Sequence, residues 1–404
     1  MDQIKKFYLT SFLKNQTYFT PIFIIFLQSH FLSLQEIFLI FTIGSIFSLL
    51  IEIPTGVLAD LYGKRKTIII GKLVLIIAYL GFGFSNTFWS FVMFQIIYEL
   101  GNALRSGTET GFVYDYIEQN KTDKNKLPGY TEVKGKQKFY GRIGESLATL
   151  AGGLIASLLG FSWVFFIATI PAFLNFLLAV SFEKIKEAEN KKISITESLN
   201  HVKDSIKYLY RHKFLVRLVL NITIFSGAIA AIDKYIQPYM KVTGVPIEIF
   251  GLIYSIGLLL SALAVRYSYL VEKNMGTIHT INMVTLLAAI PAIILGLGWI
   301  SYIGIALLFL ILIIENIRSP IANNLFNQNI SSKQRATLES TLQLMKELGK
   351  SIILPIAGYL TGAFSMYTAI LVLGIIILLN GLFLMIRNGE KHTKNKFSKL
   401  YKKN

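Results

Sequence analysis

The sequence predicts an all-α membrane protein whose twelve spanning helices fall into two six-helix pseudo-repeats. Three observations carry this expectation. Of 404 residues, 53% are hydrophobic and only 16% are charged, a composition suited to lipid as solvent. Apolar stretches of about 20 residues recur along the whole chain, the length at which a helix bonds all its backbone N–H and C=O groups internally across a bilayer. A long polar stretch from Glu183 to Lys213 then divides these stretches six and six.

In order, the expected spans are 7–29, 36–60, 66–85, 88–115, 139–159 and 162–182, followed by 214–240, 247–270, 277–298, 301–328, 340–362 and 365–387. The first lacks a short apolar core followed by a small-residue cleavage site and is expected to be a retained helix. Within the mid-chain linker, ITESLNHVKDSIKYLYRH repeats its apolar residues at helical spacing and predicts an interfacial amphipathic helix. The expected organisation is an N-terminal half at 1–183, a linker at 184–213, a C-terminal half at 214–388 and a basic tail at 389–404.

A net charge of +17 in a soluble protein would point to nucleic acid. Here the basic residues are concentrated in alternate loops, as expected of residues retained on the cytoplasmic side. They crowd Lys5 and Lys6, Lys64 to Lys66, Lys121 to Lys138, the linker, Lys333 with Arg335, and the tail, whereas the loops near His30, Asn86, Gly160, Ser301 and Ser365 carry none. Both termini are expected in the cytoplasm of a cell-membrane protein, with lipid headgroups rather than nucleic acid meeting the tail. Zero cysteines exclude disulfides and thiol chemistry. The five histidines are scattered over edges and loops, so no metal site or cofactor is expected. No GxxxxGK[ST] loop occurs, which argues against a built-in ATPase.

An offset of about 213 residues superposes landmarks of the two halves: Gly44 on Gly257, Gly63 on Gly276, and LRSGTETGFVYDYI from Leu104 on IRSPIANNLFNQNI from Ile317, which sets Arg105 against Arg318. With an eight-residue shift, Gly144-Glu145-Ser146 meets Gly349-Lys350-Ser351 and Gly153 meets Gly358. Two such halves are the plan of transporters with a site near the bilayer midplane.

The strongest local signal is GVLADLYGKRK, with Gly56, Asp60, Gly63, Lys64 and Arg65 at the expected end of the second helix. Gly56 suggests close helix approach, Gly63 a tight turn, and Asp60 a carboxylate for neighbouring cations or a helix N-terminus. This loop resembles the signature loop of the major facilitator superfamily, departing from it at Leu61, where the family usually has a basic residue. GESLATLAGG in the fifth helix, with Gly144, Glu145, Gly152 and Gly153, is similar to the glycine-rich motif of that superfamily's antiporters, but Ala148 and Thr149 replace the inner glycine and proline. Small residues at this spacing serve close packing equally well. The resemblance implies the twelve-helix facilitator fold, alternating access, and a cavity lined by helices 1, 4, 7 and 10.

Ionisable groups inside a bilayer are functional candidates by default. Those singled out are Glu52, Glu99, Arg105, Glu109, Asp233, Glu315 and Arg318. Glu99 and Glu315, near the middle of their helices, are either proton carriers or members of permanent ion pairs. Arg105 and Glu109 are four apart, Glu315 and Arg318 three apart, so each pair shares a helical face. Adjacent Asp233 and Lys234 point apart on a helix and form either an outer gate or solvated end charges. Arg142, Glu145 and Asp115 are expected near Asp60 as a latch. The function expected is secondary transport by a monomer, not enzymatic catalysis, with a small-molecule substrate, protons and lipids as partners. Proton-coupled efflux of a drug-like or amphipathic compound comes first, and uptake of a sugar, peptide or other metabolite is the alternative.

Overall fold

A computed structural model describes residues 2–120, 128–185, 195–298, 301–330 and 335–387. Among them every regular element is a helix. In the first part the helices are α1 (Gln3–Lys14), α2 (Phe23–Ser29), α3 (Leu34–Tyr62), α4 (Lys64–Phe84), α5 (Phe88–Gln119), α6 (Tyr130–Leu159) and α7 (Trp163–Val180). After α8 (Ile195–Tyr210), they are α9 (Lys213–Asp233), α10 (Ile236–Val242), α11 (Phe250–Met275), α12 (Thr277–Gly296), α13 (Tyr302–Gln328), α14 (Arg335–Ala363) and α15 (Met366–Phe383). Nine described segments are long and apolar enough to cross a membrane, counting α9 with α10 as one. The other three spans of the twelve are α1 with α2, α5 and α14; α5 and α14 are long but carry several charged residues.

The expected first and seventh spans are corrected in one respect. Each is broken rather than continuous, between Lys14 and Phe23 in one and between Asp233 and Ile236 in the other. Hydropathy registers the apolar content of these stretches and is blind to a break that keeps it. The amphipathic linker helix exists as α8. The basic tail and Lys333 lie outside the described residues.

Helix starts follow local chemistry. Ser33 and Glu36 exchange hydrogen bonds at the start of α3, where the Glu36 amide donates to Ser33 Oγ at 3.2 Å and the Ser33 amide donates to Glu36 Oε2 at 2.8 Å. Thr87 and Ser90 repeat the arrangement at α5; both are capping boxes that satisfy otherwise orphaned amides. The repeat is visible in the backbone too. Positive φ falls on Phe31 (63°) and Gly244 (75°), and on Gly63 (91°) and Gly276 (77°). Each pair is 213 residues apart, so the same turn recurs in each half, and Phe31 adopts it without the freedom of glycine.

By contact the chain forms two compact units. Unit 1 comprises Met1–Leu32, Ile43–Ser198 and Gly244–Ile256, and unit 2 comprises Ser33–Thr42, Leu199–Thr243 and Gly257–Asn404. In unit 1, Phe7 packs edge-on to Phe112 and Tyr116 in a core shared by α1, α4, α5, α6 and α7. In unit 2, residues such as Leu218, Ile222, Ile281 and Leu325 form the corresponding core.

Glycines of α6 let backbones touch. A Cβ at Gly144 would lie 2.4 Å from the Phe12 carbonyl oxygen, and one at Gly152 would lie 2.0 Å from that of Tyr18. A Cβ at Gly153 would lie 2.6 Å from the Ile247 carbonyl oxygen of the same unit. Gly56 differs from expectation. Nothing lies within 4 Å of a Cβ built there, so it is not a close-approach position in this structure. Gly152→Val is expected to destabilise the fold by about 1–3 kcal/mol through a backbone clash that no rotamer relieves, while Gly56→Ala, with open space for its Cβ inside α3, is expected to stabilise it by about 0.5–1 kcal/mol. Thermal unfolding of the purified variants checks both.

Candidate functional site

In unit 1 the charged side chains converge on Glu109, which α5 carries ten residues before its C-terminal end and which is 9% exposed. Three cations surround it. Lys14 Nζ from α1 lies 3.2 Å from Oε2, Lys72 Nζ from α4 lies 3.3 Å from Oε1, and Arg105 Nη1, one turn earlier on α5, lies 3.8 Å from Oε2. Lys72, 2% exposed, also donates to Asn175 Oδ1 on α7 at 2.7 Å and stands 5.4 Å from the Phe182 ring centroid. The i,i+4 spacing of Arg105 and Glu109 thus places them together. Lys14 and Lys72, which sequence reasoning missed, complete the cluster.

Unit 2 has a buried cation of its own. Arg318, 2% exposed, donates from Nε to Thr285 Oγ1 at 2.8 Å and from Nη2 to Asn221 Oδ1, and its guanidinium lies 4.0 Å over the Phe225 ring. Asn380 Nδ2 donates to the Asn221 carbonyl at 3.1 Å and ties α15 into the network. Thr285 lies 213 residues after Lys72, and Asn380 lies 205 after Asn175, the shorter offset of the later helices. The two clusters therefore occupy matching places in the repeat with different chemistry, and this second alignment was the signal that could have revealed Lys72.

The remaining acids fall into two groups. Glu99 accepts from Gln95 Nε2 at 2.8 Å, one turn back on α5. Glu315, on the same helix as Arg318, has a buried Oε2 that receives no hydrogen bond. Glu52 is half-buried on α3. Asp233 corrects its expectation. Lys234 Nζ donates to Asp233 Oδ2 at 3.0 Å because α9 ends at Asp233, and the broken helix lets the adjacent side chains meet. Lys234 also lies 4.7 Å over the Phe41 ring of the same unit.

At the loop between α3 and α4, Lys64 reaches Asp115 on α5 at 2.5 Å. Arg65 donates to the carbonyls of Phe182 at 2.8 Å and of Val180, and Lys6 donates to that of Ser181 at 2.6 Å. These cations answer the unsatisfied carbonyls at the end of α7. Arg142 and Glu145 pair with each other at 2.7 Å. Of the expected latch, Asp115 pairs with Lys64, which also acts electrostatically on Asp60, while Arg142 and Glu145 pair with each other.

The sequence profile of the Major Facilitator Superfamily matches residues 8–327. The chain belongs to this superfamily. It is a small-molecule transporter by family and not an enzyme. The chain is 23% identical over 372 residues, 89% of either protein, to the uncharacterized MFS-type transporter YxaM of Bacillus subtilis (strain 168). It is 25% identical over 205 residues, 50% of this chain and 47% of the relative, to the multidrug resistance protein MdtG of Salmonella choleraesuis (strain SC-B67). The crystal structure of the nucleoside transporter NupG superposes with a TM-score of 0.75 at 15% identity, covering 98% of this chain and 100% of that one. At that identity the likeness shows the facilitator fold.

Removing Glu109 leaves three cations facing one another in a site with little water. Glu109→Gln is expected to destabilise unit 1 by about 3 kcal/mol, the scale for breaking a buried pair from one side. Adding Lys72→Met removes the stranded buried charge and is expected to recover part of the loss, read as the unfolding midpoint of the single and double variants.

Proposed function

We propose that this protein exports an amphipathic small molecule across the cell membrane in exchange for protons, working as a monomer by alternating access with both termini in the cytoplasm. The observation that carries the reading is the pair of carboxyls left outside the buried ion-pair cluster. Glu109 is locked among three cations. Glu99, by contrast, accepts from Gln95, and Glu315, with Arg318 and Lys346 in its surroundings, keeps a buried oxygen that receives no hydrogen bond. A proton carrier must gain and lose its proton within each cycle, so a carboxyl outside a three-cation clamp is better suited than one inside it. The half-length similarity to a multidrug resistance protein favours export over uptake.

Asp60 and its loop are assigned to gating, since Lys64 and Arg65 tie that loop to α5 and to the end of α7. A loop tied to both helices resists their separation and relaxes when the ties break.

In everted vesicles holding a set pH gradient, addition of the transported compound is expected to collapse the gradient. Glu99→Gln or Glu315→Gln is expected to abolish this coupled flux while leaving insertion intact. Full coupled activity in both variants and their double removes the carrier role, and silence across lipophilic cations, organic acids, antibiotics, sugars and peptides moves the reading to uptake. Asp60→Asn is expected to slow turnover more than it weakens substrate binding, and a pure loss of affinity argues against gating.

A further inference from the structure

Charge around Glu109 does not balance. Among the described residues Glu109 is the single carboxylate in ion-pair range of Lys14, Lys72 and Arg105. Lys72, held by Asn175 and beside the Phe182 ring, is the most buried of the three and serves as its fixed counter-charge. Lys14 and Arg105 are more accessible and share what remains. All three line a cavity of about 20 Å³ together with Gln16, Tyr79 and Asn175. Such a space holds about one water-sized group. The Arg105 Nε–H is buried and has no acceptor, while Nη2 of the same guanidinium is occupied by Asn102 at 2.9 Å. A buried donor without an acceptor, beside a small cavity whose walls are largely apolar (Leu13, Leu75, Ala168, Ala172) and two incompletely neutralised cations, calls for an anionic oxygen.

Lys14 also lines a second and larger space of about 620 Å³ between α1 and α6. Four cations, Lys14, Lys134, Lys138 and Arg142, stand on its walls against the single carboxylate of Glu145, which Arg142 already pairs. Lys134 donates to the hydroxyl of Thr110 at 3.3 Å and stands over the face of Tyr130. The volume suits a small organic molecule, and a groove lined by one sign of charge concentrates the opposite sign. The groove lies at the end of unit 1 where α6 begins.

We propose that unit 1 binds an oxyanion, the carboxylate or phosphate headgroup of the amphipathic solute, with Lys14 and Arg105 as its ligands and the α1–α6 groove as its way in. This rests on the export reading for the identity of the solute as cargo, but the binding itself needs no flux. Lys14 and Arg105 are the specificity-determining residues, while Lys134 and Lys138 gather anions electrostatically.

The test is calorimetric titration of the full chain in discs of neutral lipid with hexyl phosphate, hexanoate, hexanol and hexyltrimethylammonium. At least one of the two anions is expected to bind about tenfold or more tightly than the neutral and cationic compounds, with affinity falling as salt rises. Lys14→Gln and Arg105→Gln are each expected to weaken it by about tenfold or more, whereas Lys14→Arg keeps it. The unfolding midpoint of each variant shows whether it remains folded. If a variant does not fold, the preference of the unaltered chain still decides. Equal binding of all four compounds, preference for the cation, or anion binding indifferent to both folded glutamine variants overturns the proposal. Loss of hexyl phosphate binding in discs containing phosphatidylglycerol assigns the site to a lipid headgroup and overturns the solute as its occupant. Anion binding without proton-linked flux sinks the export reading alone, and proton-linked flux of cations alone sinks this one.

Discussion

A hydrocarbon interior offers no water to a charge, so every buried ionisable group must find its compensation inside the protein. Two solutions to this constraint occur in one chain. In unit 1 a single carboxylate, Glu109, anchors cations from three positions on three helices, and α1, α4 and α5 are thereby held to one point, with α7 joined through Asn175. In unit 2 the guanidinium of Arg318 hydrogen-bonds two neutral oxygens and lies over the face of Phe225, with the Glu315 carboxyl one turn before it on the same helix. Neutral dipoles and a ring face there share the compensation of the charge with a carboxyl that makes no direct ion pair among the described residues.

The same constraint shapes the helix ends. Arg65 and Lys6 spend their charges on the last carbonyls of α7 rather than on acids. The signature loop is therefore a clasp on α7 as well as a link to α5 through Asp115. Its glycine at position 63, with φ of 91°, turns the chain so sharply that α3 and α4 follow each other with one residue between.

Much of the fold was legible because the bilayer imposes length and polarity on every span. Many spans, such as 36–60 observed as Leu34–Tyr62 and 301–328 observed as Tyr302–Gln328, differ from expectation by only a few residues, whereas α6, expected at 139–159, begins at Tyr130 because its first turns are polar. The breaks after Lys14 and Asp233 were not legible, because a broken helix and a straight one share one hydropathy profile. Asp233 with Lys234 follows from that miss, since side chains that diverge on a helix can meet where it ends. The site was half legible. Arg105 with Glu109 could be paired by spacing along one helix, but their contacts with Lys14 and Lys72 join residues on different helices. Such contacts leave no local pattern, and a lysine near a basic loop reads as topology until the fold buries it. Gly56 shows the opposite error, in which a glycine in a motif was assigned a packing role that its surroundings do not provide.

Lys72 and Thr285, 213 residues apart, put two different tenants at one address of a duplicated chain. Duplication fixed where the polar cluster sits and left what occupies it free to diverge. A protein built this way can carry a full charge at one place of a polar cluster in one copy and none at the matching place in the other while both keep the same helices around it. Threonine against lysine changes side-chain length as well as a whole unit of charge, and each half accommodates its own residue with its own partners.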